Sequence, residues 1–310
     1  MRRSLLNLIS APVPVLNSIG LNLRVGLSSE DPTTLNHPTE SYAAFLTTYS
    51  PEGVLVGRTH LGEIPPNRRK LYDISAITRE LIPGPVDHLT VLHRVPTRLL
   101  SQVDNVESVI DLPEDLHYPM FRSMVEYSYP QGGNGSVIYE TPPGLNAAKR
   151  EEKSSNTLIF TCQIVLSQVL NTYMVLIHYS VDPSYAAIAD FGYGIFSPSG
   201  ERVSYGDVSV GPFSIRVVDM TKVIPRDVIN KERDPLDGQS AFTFVGYSED
   251  AVLIPLIVNA SPDLGAVGVE HTHPPQAYVF PSDANIKRKV KTDAESAWKS
   301  VLTMARSGKP

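Results

Sequence analysis

Apolar and polar residues alternate along much of the chain, and Pro, Gly and Asp interrupt the pattern at short intervals. Leu21-Asn22-Leu23-Arg24-Val25-Gly26-Leu27 has the period-two alternation of a half-buried strand. Leu89-Thr90-Val91-Leu92-His93, Met124 to Tyr129, Phe242 to Val245 and Gly265 to His271 predict further strands. Ile159 to Val165 is a nearly continuous apolar run and predicts a buried strand holding Cys162. Ser50-Pro51-Glu52-Gly53 and Ser197-Pro198-Ser199-Gly200 fit type I turns, with Pro presetting φ at the second position and Gly closing the turn. Their flanks then form hairpins. Ile74 to Leu81 and Met220 to Val228 each suit a helical turn or a loop, capped by Asp73 and Asp219. Short strands between such turn signals predict β-sandwich architecture.

The pattern occurs twice. Val15-Leu16-Asn17 matches Val169-Leu170-Asn171, and Asp31-Pro32 matches Asp182-Pro183. Tyr49 to Val56 matches Phe196 to Val203, and Pro65 matches Pro212. Tyr72-Asp73-Ile74-Ser75 then matches Val218-Asp219-Met220-Thr221, and His88 to Val91 matches Ala241 to Phe244. Finally Val125 to Pro130 matches Val269 to Pro274. The order is kept throughout, as a tandem duplication requires. The fold class expected is therefore all-β: two tandem related β-sandwich domains with a C-terminal α-helix. The first repeat spans 1–145, a charged linker 146–156, the second repeat 157–284, and a basic linker with the helix 285–310.

The helix rests on Thr292-Asp293-Ala294-Glu295, a capping-box pattern. Ala294, Ala297, Trp298, Val301, Leu302 and Ala305 follow as one apolar stripe. The stripe packs on its own sandwich, or forms a homo-oligomer contact through Trp298, Val301 and Leu302. The preceding Lys287-Arg288-Lys289-Val290-Lys291 suits a solvated linker, with a phosphate or nucleic-acid contact as the lesser alternative.

Composition narrows the function classes. There are 26 prolines in 310 residues, above the average usage of about 5 %, which disfavours helical bundles and coiled coils. A single Cys excludes an intrachain disulfide and any zinc site with two thiolates. The net charge of −6 argues against general nucleic-acid binding. Met1-Arg2-Arg3-Ser4-Leu5-Leu6 begins like a signal peptide, but Asn7, Pro12 and Pro14 interrupt the apolar stretch. Thr157 to Val181 is too polar for a membrane span. The expectation is a soluble, cytoplasmic protein.

Candidate chemistry centres on Glu270-His271-Thr272-His273-Pro274. On a strand His271 and His273 share a face, and two imidazoles so placed can share a metal. His178 ends the first strand of the same repeat, and Asp182 or Glu270 supplies an oxygen. Three protein ligands with an open fourth position are the geometry of a catalytic divalent metal such as Zn, Cu or Fe. The plainer reading is a pair of surface or aromatic-cluster histidines, because the first repeat carries Tyr127 and Tyr129 at the matched positions. His88 and His93 are read as boundary residues on opposite faces. Arg68, Arg69 and Lys70 are either a solvated strand start or an anion contact. No nucleophile elbow, P-loop or zincin motif is present. The leading expectation is a non-enzymatic binding or assembly protein holding a small polar ligand, a glycan or a protein partner in the groove between the repeats. The alternative is a metal-dependent hydrolase or oxygenase using His178, His271 and His273.

Overall fold

The computed structural model describes residues 3–4, 10–29, 40–102, 109–110, 123–138, 158–180, 185–248 and 253–271, together with Thr292 and Ser296. The linker 146–156, the basic run 287–291 and the interface candidates Trp298, Val301 and Leu302 lie outside the described residues.

The described chain is all-β, with four antiparallel four-stranded sheets forming two similar sandwich-like halves. In chain order the first half has β1 (Arg3–Ser4), β2 (Ser10–Val15), β3 (Asn22–Ser28), β4 (Tyr42–Tyr49) and β5 (Leu55–Ile64). It continues with β6 (Arg69–Asp73), β7 (His88–Pro96), β8 (Val109–Ile110), β9 (Met124–Ser128) and β10 (Asn134–Ile138). The second half has β11 (Leu158–Leu166), β12 (Asn171–His178), β13 (Ala189–Phe196) and β14 (Arg202–Val210). It ends with β15 (Ser214–Asp219), β16 (Ser240–Ser248), β17 (Leu253–Ser261) and β18 (Ala266–His271). Among the described residues no helix exceeds six residues, and none is long and apolar enough to cross a membrane.

Sheet order shows the likeness of the halves. The first half's sheets run β10-β9-β3-β6 and β2-β7-β4-β5; the second half's run β18-β17-β12-β15 and β11-β16-β13-β14. Both proline turns form as read: the Gly53 and Gly200 amides donate to the Ser50 and Ser197 carbonyls at 2.9 Å, with φ of 82° and 84°. Asp73 and Asp219 cap the short helices Ile74–Arg79 and Met220–Val223.

Strand register corrects the sequence correspondence in detail. Val15 pairs with His88 as Ile164 pairs with Phe242, so His88 corresponds to Phe242, one position from the sequence match. His93 likewise corresponds to Tyr247. Arg24 pairs with Asp73 and Glu126, whereas Tyr173 pairs with Asp219 and Val258. That aligns β9 with β17, not with β18, so Tyr127 corresponds to Asn259 and His271 to Ile138. The turns entering β6 and β15 share a rarer feature: Asn67 and Phe213 both have φ 54°.

The halves are joined by a packed apolar junction. Along β12, Val175 and Ile177 belong to the same core as β2, β3, β4, β7 and β9 of the first half. The alternating Met174 and Leu176 belong to a separate core confined to the second half. One sheet thus walls two cores, as period-two side-chain alternation allows. All nine residues of β7 are buried, so this central strand of the first half is covered on both faces. His88 and His93, read as boundary residues, are instead wholly interior, at 0 % and 1 % exposure. At the rim of the junction Tyr49 stacks on Phe213, and Tyr179 meets the same ring edge-on. A Cβ on Gly132 would lie 1.8 Å from the Gly265 carbonyl oxygen, so the hairpin turns of the two halves touch backbone to backbone.

Candidate functional site

The first half's β10-β9-β3-β6 sheet carries a polar cleft of ≈630 Å³. Its floor comes from β3 and the strands beside it, with Asn22 and Arg24 on β3, Asp73 ending β6, and Ser128 and Asn134 on the β9–β10 hairpin. The helix Ile74–Arg79 adds Ala76 and Arg79, and Tyr129, Pro130 and the Gly132-Gly133 turn close the remaining side. The alternation of β3 explains the exposure: Leu23 and Val25 point into the core at 0 % exposure, which leaves Asn22 and Arg24 on the outer face.

Arg24 is the centre of a cross-strand row, with Asp73 on one side and Glu126 on the other. Its Nε donates to Glu126 Oε1 at 2.7 Å, and Nη2 donates to the same oxygen. Glu126 lies beneath it, its side chain 10 % exposed against 43 % for Arg24. A guanidinium held by a largely buried carboxylate is fixed in orientation and keeps donors free on its open side. Asp73 Oδ1 accepts from the Ala76 amide at 2.8 Å. The Ser75 hydroxyl is turned inward, accepting from the Leu23 amide at 2.8 Å. Arg79 is exposed and has no hydrogen-bond or ionic partner among the described residues. Tyr129 is 5 % exposed, and burial pushes its phenol up to about 12, so it remains a neutral hydroxyl.

The histidine constellation is not assembled. His178 is wholly buried, with Nδ1 at 2.9 Å from the Val210 carbonyl and 3.0 Å from that of Gly211. Nδ1 therefore carries the proton, and the ring stands edge-on to Tyr185. Burial lowers its pKa, which keeps it neutral in the core. Leu256 pairs with both Val175 and His271, and His178 lies three positions beyond Val175. That odd step sets His178 and His271 at register positions on opposite faces of the sheet. Glu270 is exposed on β18, while His273 and Asp182 lie outside the described residues. Among the described residues no three His, Cys, Asp or Glu side chains gather as a metal site.

Of the basic run, Arg69 belongs to the face that carries the cleft: its Cδ lies 3.8 Å from the Cβ position of Gly26, beside Arg24. Arg68 precedes β6, with its amide and carbonyl both bonded to Ser29. Lys70 pairs with Leu27, in the opposite phase from Arg69. The sequence does not by itself mark Asn22, Arg24, Asp73 and Arg79 as a site. The available signal was the polar half of the Leu21–Leu27 alternation, which marks the strand's outer face but not what gathers there.

No protein-family model matches the chain, and no curated protein sequence does. Solved structures resemble it distantly. A β-glucuronidase from glycoside hydrolase family 2 is 10 % identical, with a TM-score of 0.20 over 84 % of this chain and 23 % of that one. A family 2 glycosyl hydrolase from Bacteroides cellulosilyticus DSM 14838 is 8 % identical, with a TM-score of 0.20 over 84 % and 27 %. The VP2 subviral particle of infectious bursal disease virus is 10 % identical, with a TM-score of 0.21 over 88 % and 76 %. This chain spans about a quarter of the length of the glycoside hydrolases it resembles.

Proposed function

We propose that the chain is a non-enzymatic binding protein whose ligand, a small polar molecule, lies in the cleft on the first half. The observation that carries this reading is the cleft's lining. Asn22, Arg24, Asp73, Arg79, Ser128 and Asn134 converge on one concave surface of ≈630 Å³, within the ordinary size range of ligand pockets. Two features favour binding over catalysis. The lining holds no imidazole and no thiol, and its arginine is held by Glu126, an arrangement that positions a donor. Both halves contribute to one apolar core, and Gly132 of the cleft lies against Gly265 of the second half.

The test is a ligand screen read by amide and arginine Nε–H NMR shifts on the full chain. The expected result is a set of small polar ligands that shift Arg24, Asn22 and Asn134 and lose affinity in Arg24→Ala. Hits that map elsewhere, or affinity unchanged in Arg24→Ala, would reject the cleft as the site.

A further inference from the structure

We infer that the cleft takes a neutral polyhydroxylated ligand, a glycan, with Asn22 and Asp73 clasping its hydroxyls, and that each chain has one such site although it has two similar halves. This rests on the cleft being the ligand site and adds the ligand's chemical class.

The second half shows how the same positions behave when closed. Asn171 and Asp219 correspond to Asn22 and Asp73 by register. There the Asn171 amide donates to Asp219 Oδ1 at 2.8 Å, so the two side chains satisfy one another. Thr221 donates to the same oxygen through its amide at 3.0 Å and its hydroxyl at 2.6 Å. Lys222 Nζ stands 3.6 Å from Asp219 Oδ2. Position 173, which corresponds to Arg24, is a tyrosine packed against the shared core.

The side-chain elements of that closure are undone in the first half, and only a backbone amide still caps the aspartate. Ser75, in place of Thr221, turns its hydroxyl inward to Leu23. Ala76, in place of Lys222, supplies no cation. Among the described residues Asn22 has no side-chain partner, and Asp73 accepts only from the Ala76 amide. The same backbone frame therefore presents an open amide donor beside an open carboxylate acceptor. A hydroxyl both donates and accepts, so a sugar hydroxyl pair can join Asn22 to Asp73 where a simple anion would meet the Asp73 carboxylate.

The test is binding of the full chain to an immobilised array of neutral oligosaccharides, followed by calorimetry on the best of them, with inorganic sulfate as a separate arm. The expected result is one site per chain. Affinity should fall at least tenfold in Asn22→Ala and in Ala76→Lys, which transplants the cation of the closed half onto a surface position. Sulfate binding in the cleft without any neutral saccharide would overturn the glycan assignment and leave the cleft as a ligand site. Two sites per chain, or a saccharide affinity indifferent to Ala76→Lys, would also overturn it. A cleft that binds neither class would remove both readings.

Discussion

Tyr49 of the first half and Phe213 of the second stack with ring centroids 5.1 Å apart and planes inclined by 13°, across the junction of the two halves. Phe213 holds this place with a left-handed backbone, φ 54°, which is uncommon for a bulky residue. The packing of its ring, 6 % exposed, is what offsets the conformational cost.

Phe213→Ala is therefore expected to destabilise the chain by about 3–5 kcal/mol, as buried Phe truncations do. Asn67 shares the φ of 54° but is exposed, so Asn67→Gly is expected to stabilise slightly. Urea unfolding of both variants checks the pair. Shifts of equal sign would show that the ring does not hold the turn.

The glycine contact between the hairpin turns gives a steric prediction. Gly132→Ala brings a Cβ to 1.8 Å from the Gly265 carbonyl oxygen, whereas a Cβ at Gly133 meets nothing within 4 Å. The first substitution is expected to cost about 3 kcal/mol and the second close to nothing. Thermal melts of the two variants side by side decide it.

Three wholly buried histidines make the fold acid-sensitive. Burial lowers the pKa of His88 and His178, and burial together with the Arg58 charge pushes His93 down to about 3. Below the ordinary histidine value of about 6.5 the unfolded chain binds protons that the native chain refuses. Stability is then fullest above pH 6.5 and falls as the pH drops, with the His93 share still being lost toward pH 3. For His93, still neutral at pH 5, the cost there is about 2 kcal/mol. Urea midpoints at pH 7.5, 6 and 5 should decline, and His93→Gln should flatten the decline. A midpoint constant across that range would contradict the prediction.

Cys162 is expected to be inert in the native state. Burial, with a smaller contribution from Glu270, pushes its thiol up to about 12. At pH 8 its reaction with a disulfide reagent should be slower than in urea by on the order of a thousandfold, following the thiolate fraction. Comparable native and denatured rates would show the thiol to be accessible as thiolate.

Sequence pattern and architecture agree where local chemistry decides the outcome. The two Ser-Pro-x-Gly turns, the Asp73 and Asp219 caps and the alternation of Leu21 to Leu27 are read from neighbours in the chain, and all three form. Register is different, because it depends on a partner strand that the sequence does not name. A one-residue slip moves every side chain to the other face, so matching His88 to Ala241 rather than Phe242 placed an interior imidazole at a boundary. The sequence hides β17 because Pro255 stands within it, between β12 and β18, where strand rules exclude proline. Without β17, the sequence pattern of β9 matches the next strand, and His271 falls against Tyr127. The cleft was illegible for a related reason: Asn22, Asp73 and Asn134 are ordinary surface residues until β3, β6 and the β9–β10 hairpin stand side by side.

The sheet that walls two cores makes the halves unequal in another respect. The second half's own core is complete within 158–271, while the first half's core draws on Val175, Ile177, Leu256 and Val258. A chain is synthesised from its N-terminus, and domains that can fold early do so in that order. Here the half that is made first is the half whose interior is finished last. Until β12 and β17 arrive, Leu89, Val91 and their neighbours on β7 have an uncovered face, and the nascent chain carries an adhesive surface that its own later half is built to hide.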